Sequence, residues 1–302
     1  MTASKAHACS EDEACRQFLG QYSIEIIPRD TRAAEMARRV LSPGTEIYLA
    51  SISGEPQETV IARALELRTS GFVPVPHVVA RRYESPNQLE TTLARLQEAG
   101  VDRALLLGGD VARVVGPFPS SRAVLETGLF ARYGFERLGF ATYPQPHPHI
   151  PTDVLDDELG QKVSLTVRQG MTPWVVSQFC FEPDAIAAHI RRLRARGIAD
   201  DVRVGLAGPA TLKSVMRLAH MCGVTNSAQA LRSLGQKFGR LVVGYEPQEL
   251  IDRLLHDMET KAELRSLRGH FFGFGGLEQT ATWIREYRCK GRRRRCAATA
   301  FP

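Results

Sequence analysis

Short apolar runs alternate with stretches of helical period along almost the whole chain. The runs that read as strands are Ser23–Pro28, Glu46–Ile52, Val73–Val79, Arg103–Leu107, Arg137–Ala141, Trp174–Cys180, Arg203–Leu206 and His270–Phe274. Between them the apolar positions fall three and four apart, the spacing that lines one face of a helix. Leu89, Leu93 and Leu96 form one such stripe, closed by Gly100, a residue type that accepts the left-handed backbone at a helix end. Ile186, Ile190 and Leu193 form a second, and Leu212, Val215, Met216 and Ala219 a third.

Strands separated by helices pair in parallel, because the crossover returns the chain to the same end of the sheet. Eight such units predict a closed (β/α)8 TIM barrel, with an open doubly wound sheet as the alternative. Polar residues at or just after strand ends, namely His77, Asp110, Tyr143 and Gln178, favour the barrel, whose sites lie at that face. The stretch Val224–Glu259 is longer than one crossover needs and predicts extra helices before the last strand. The expected organisation is an N-terminal extension over 1–21, a barrel over 22–287 and a basic, disordered tail over 288–302.

Composition narrows the class. The 302 residues are 43% hydrophobic, enough for one barrel of about 250 residues. No apolar run reaches about 18 residues, so no membrane span is expected. The first twenty residues mix acids and bases without a secretory core, which points to the cytoplasm. The net charge of +6 gathers largely at Arg292, Arg293, Arg294 and Arg295, with Lys290 beside them. A terminal basic run reads as a solvated end, and no aromatic residues interleave it, so nucleic acid is not an expected partner. The remaining partner classes are a small-molecule substrate and a second copy of the chain. The six cysteines, Cys9, Cys15, Cys180, Cys222, Cys289 and Cys296, form no C-x-x-C pair and no common zinc spacing, so no metal is expected.

Candidate chemistry begins at Glu25, a carboxylate inside the apolar run Ser-Ile-Glu-Ile-Ile-Pro. Desolvation raises a carboxyl pKa, which suits a general acid near neutral pH, whereas an ion pair with a neighbouring strand is the plain alternative. Leu-Leu-Leu-Gly-Gly-Asp runs a buried strand into Gly108, Gly109 and Asp110, a turn that lets backbone approach a ligand and that equally fits a plain loop. His77 closes a Pro-His strand end, and Tyr143-Pro-Gln-Pro-His147-Pro follows another. Phe271, Phe272 and Phe274 alternate with glycines but lack the G-x-G-x-x-G spacing of a dinucleotide loop.

In order, these pieces resemble the catalytic domain of the methylenetetrahydrofolate reductase family. The carriers are Ile24-Glu25-Ile26-Ile27-Pro28, Pro76-His77, Gly108-Gly109-Asp110, Tyr143-Pro144-Gln145-Pro146-His147-Pro148, Ser177-Gln178-Phe179 and His270-Phe271-Phe272, over roughly 22–286. The resemblance implies an oxidoreductase interconverting 5,10-methylenetetrahydrofolate and 5-methyltetrahydrofolate with NAD(P)H, through FAD. It implies Glu25 as the acid that opens the folate ring, and Asp110 as the charge that stabilises the iminium. Gln178 and Phe272 would bind the pterin, and Ser51, His77, Gly108, Gly109, Asp110, Tyr143, His147 and Lys162 the FAD. Departures fall on the cofactor side: Gly108 replaces an Arg, Gln145 a Glu and Gly276 an Arg, while Lys162 and Arg168 stand in for a basic pair. A flavin-free reductase taking hydride directly from NADH, and a non-catalytic folate-binding subunit, are the alternatives.

Overall fold

The computed structural model describes residues 15–52, 54–109, 114–198, 201–221, 244–259 and 266–299. Eight parallel strands close into a barrel, so the fold is a (β/α)8 TIM barrel. In chain order the first seven are β1 (Ser23–Ile26), β2 (Glu46–Leu49), β3 (Val73–Val79), β4 (Arg103–Leu107), β5 (Arg137–Thr142), β6 (Thr172–Ser177) and β7 (Val202–Ala207). A small antiparallel ribbon follows, β8 (Ala210–Thr211) with β9 (Gly244–Tyr245), and β10 (Leu267–Phe272) is the eighth strand of the barrel. Parallel registers include Glu25 with Tyr48, Tyr48 with Val75, His77 with Leu105 and His270 with Gly205.

The chain divides into two compact units, residues 23–142 with 149–176, and residues 1–22, 143–148 and 177–302. In the first, Tyr48, Val75, Leu105, Trp174 and Val176 form one buried cluster. They come from β2, β3, β4 and β6, strands that only the barrel's inner face brings together. Gly139 of β5 is glycine for the same reason: a Cβ there would stand 2.4 Å from the Trp174 ring. The strand starts add inward charge. Arg103 donates to Glu46 at 2.7 Å and bidentately to Asp102 at 2.7 and 3.1 Å. Arg137 lies 5.3 Å from the Trp174 ring centroid.

Helices follow the expected stripes. Leu89, Leu93 and Leu96 are buried on the helix Pro86–Glu98, which Ser85 caps by accepting from the Gln88 N–H at 3.2 Å. Gly100 ends it at φ +75°, in the left-handed region. Ile186, Ile190 and Leu193 are buried on Pro183–Ala195.

Three regions carry detail beyond the sequence expectation. Residues 15–20 are helical, with Phe18 and Leu19 fully buried beside Gly269 of β10, so the segment before β1 adds to the core of its unit. Within the stretch expected to add helices before the last strand, Gln248–Glu259 is helical as expected, and Leu212–Met221 and the β8–β9 ribbon precede it. Two-residue strands carry no readable alternation. The C-terminal helix runs Leu277–Thr299 and includes the arginine run. Arginine, lysine and alanine are good helix formers, and no proline intervenes before residue 302. Among the described residues, no helix is long and apolar enough to cross a membrane.

Candidate functional site

Glu25 is the penultimate residue of β1, and Ile24 and Ile26 beside it are buried. Its register partner Tyr48 points into the barrel, and so does Glu25, because paired parallel residues share a face. His77, two residues before the end of β3, points inward as well and places Nε2 3.4 Å from Glu25 Oε2. Strands β1 and β3 are not neighbours, so their side chains meet only inside the barrel. The strand has the bounds expected from sequence, Val73–Val79, with His77 near its end.

The two side chains, His77 and Glu25, are only 9% and 18% exposed. Burial raises the Glu25 carboxyl above its ordinary value, and a charged His77 opposes that rise. The Tyr48 ring stands edge-on to His77 at 6.1 Å, and Tyr48 Oη accepts the Trp174 indole N–H at 2.9 Å. In sequence, Tyr48 and Trp174 read as strand residues only. They link β2 to β6 across the interior.

The loop after β3 organises its neighbours. Arg82 donates to the Ser51 carbonyl at 2.9 Å and to Ser51 Oγ at 2.8 Å. The Arg81 N–H bonds the Gly108 carbonyl at 3.1 Å, and its guanidinium the Gly109 carbonyl at 3.3 Å. Gly109 has φ +104°, and a Cβ there would meet Val79 Cγ1 at 2.6 Å, so both backbone and space demand glycine. Sequence reasoning missed Arg81 and Arg82, although a basic pair directly after a barrel strand lies where the fold builds sites. The Asp110 assignment lies outside the described residues.

Lys162 stands elsewhere. Phe140 follows the inward Gly139 and therefore faces out of the barrel, and the Lys162 ammonium lies 5.2 Å from that ring centroid. It reaches toward Ser121 Oγ at 3.4 Å. Burial lowers its pKa to about 8, against the raising effect of Glu158.

In the other unit, Gln178 follows β6, and its Oε1 accepts the Phe179 N–H at 3.0 Å. Phe272 joins Phe179 and Phe274 at centroid distances of 5.2 and 5.9 Å. Gly205 of β7 lets the backbone at Ser177–Phe179 come close: a Cβ would fall 2.2 Å from the Ser177 carbonyl oxygen. Gly205→Ala is expected to destabilise the protein by roughly 1–3 kcal/mol, the usual cost of overpacking. A urea midpoint equal to wild type would contradict that. Tyr143 and His147 meet edge to face at 5.0 Å, and burial raises the Tyr143 pKa.

No family model matches the chain. Among solved structures it is similar to a dihydropteroate synthase from Thermus thermophilus in complex with 6HMPPP, at 13% identity and TM-score 0.48, covering 89% of this chain and 92% of that one. It is similar also to a putative lyase/mutase from Burkholderia cenocepacia, at 12% identity and TM-score 0.47, covering 93% and 85%. A third is the 3-dehydroquinate dehydratase from Aquifex aeolicus, at 13% identity and TM-score 0.40, covering 67% and 84%. At these scores the likenesses say nothing of what this chain binds.

Proposed function

We propose that the barrel reduces 5,10-methylenetetrahydrofolate to 5-methyltetrahydrofolate with NAD(P)H as the electron source. The observation that carries this reading is Glu25, a desolvated carboxyl near the end of an inward barrel strand, protonated more readily than an ordinary glutamate. Such a group suits proton donation to an amine that must leave carbon. Glu25 gives its proton to one bridging nitrogen of the folate, the carbon–nitrogen bond breaks, and the other nitrogen forms an iminium. Hydride from the nicotinamide adds to the iminium carbon and yields the methyl group. In the same reading Asp110 offsets the iminium charge.

Two candidate cations for the FAD phosphates, Lys162 and Arg82, are placed in ways that do not support a diphosphate site. A diphosphate calls for cations close by, yet Lys162 lies against the outward-facing Phe140, and Arg82 is engaged on Ser51. This favours hydride passing directly from nicotinamide to folate, with reduction through FAD as the alternative. The test is an anaerobic assay of the purified protein with methylenetetrahydrofolate and NADH or NADPH, with and without added FAD, alongside its visible spectrum. Turnover by colourless protein, unchanged by FAD, is the expected result. Yellow protein whose activity follows its flavin content would restore FAD, and no folate turnover in any arm would end the proposal.

A further inference from the structure

Proton donation leaves a carboxylate that must be reprotonated before the next turnover, and Glu25 lies inside the barrel with an imidazole nitrogen 3.4 Å from Oε2. We propose that His77 is a positioning residue that shares one proton with Glu25 and returns it after each transfer, an inference that rests on the reaction proposed above. The Glu25 Oε2–H bond breaks as the folate nitrogen takes the proton. His77, neutral once that proton has gone, takes one from water and passes it from Nε2 to the Glu25 carboxylate, which restores the singly protonated pair. No oxidant, reductant or further reactant enters.

The geometry favours this over a ligand-lining role. His77 is largely buried, it faces Glu25 across the inner surface, and the Tyr48 ring packs against it at 6.1 Å in a T-shaped contact. Among the described residues, the other charged side chains of this unit's interior, Glu46, Arg103 and Arg137, lie at the strand starts. Arg103 pairs with Glu46 and Asp102, and Arg137 lies 4.0 Å from Glu46 and over Trp174. Tyr48 accepts from Trp174.

A shared proton has a thermodynamic signature with a definite sign. The singly protonated pair exists as two tautomers, and Glu25 alone as one. The pair therefore gives up its last proton at a higher pH than Glu25 does without its partner. His77→Gln should move the alkaline limb of the kcat/KM profile down by about one pH unit, the scale of such couplings. It should lower kcat more than it changes KM. His77→Asn serves if the Gln variant misfolds. A readout free of turnover is the nuclear magnetic resonance titration of the His77 imidazole, which should shift to lower pH in Glu25→Gln, where the attracting carboxylate is gone. An alkaline limb unmoved in a folded His77 variant, or a His77 titration indifferent to Glu25→Gln, would overturn the relay. Should wild type lack folate turnover altogether, the reaction fails, while the imidazole titration still decides the coupling.

Discussion

Glu25→Gln is expected to lower methylenetetrahydrofolate turnover by about 10²–10⁴-fold, the usual contribution of a positioned acid, without loss of thermal stability. The two effects separate because Glu25 contributes chemistry at a thermodynamic cost. Its carboxyl is raised by desolvation in the folded chain. The unfolded chain therefore ionises it more easily, and at neutral pH the group favours unfolding. An amide of the same shape carries no charge to bury. Melting temperature at pH 7 should hold or rise while kcat collapses. A variant with near-wild-type turnover removes Glu25 from the acid's role, and one that melts far below wild type makes the carboxyl structural.

The second large effect is loss of stability in mild acid. His189 and His270 are both buried, and burial lowers each to about 3, helped by Arg192 and by Arg203 respectively. An unfolded histidine titrates near 6.5. Between about pH 6.5 and 3 the unfolded chain therefore binds more protons than the folded one, and stability falls as pH falls. Each residue contributes a slope of about 1.4 kcal/mol per pH unit in that window. From pH 7.5 to 5 the two together remove roughly 4 kcal/mol, a large part of a typical total of about 5–15 kcal/mol. Urea unfolding at pH 7.5, 6 and 5 measures it, and His270→Gln should flatten the dependence by about half. Equal midpoints at pH 7.5 and 5 would show that these histidines are charged or exposed in the folded chain.

The barrel was legible because each strand core is a short apolar run bounded by turn residues. Errors at strand edges have local causes. The strand expected at Trp174–Cys180 begins at Thr172 and stops at Ser177. Thr172-Pro173 looks like a turn, yet it joins the ladder, whereas Phe179 and Cys180 are buried beyond it. Glu25 stood out because a carboxylate interrupts an apolar run. Its contact with His77 did not, since no local pattern says that β1 and β3 meet; closure of the barrel does. Tyr48 and Trp174 were hidden for the same reason, 126 residues apart in sequence yet hydrogen-bonded. The resemblance brought Lys162 forward, but a lysine on a helix shows nothing in sequence of which neighbour it rests on.

The Tyr48–Trp174 bond has a consequence for traffic. With Val75, Leu105 and Val176 packed around it, it makes this half of the interior a solid floor. Nothing the size of a folate or a nicotinamide passes through a cluster packed in this way. A substrate that reacts beside Glu25 is expected to arrive from the side of the strand ends, where barrel enzymes build their sites. A product held beside Glu25 excludes the next substrate, so added product is expected to raise KM and leave kcat unchanged.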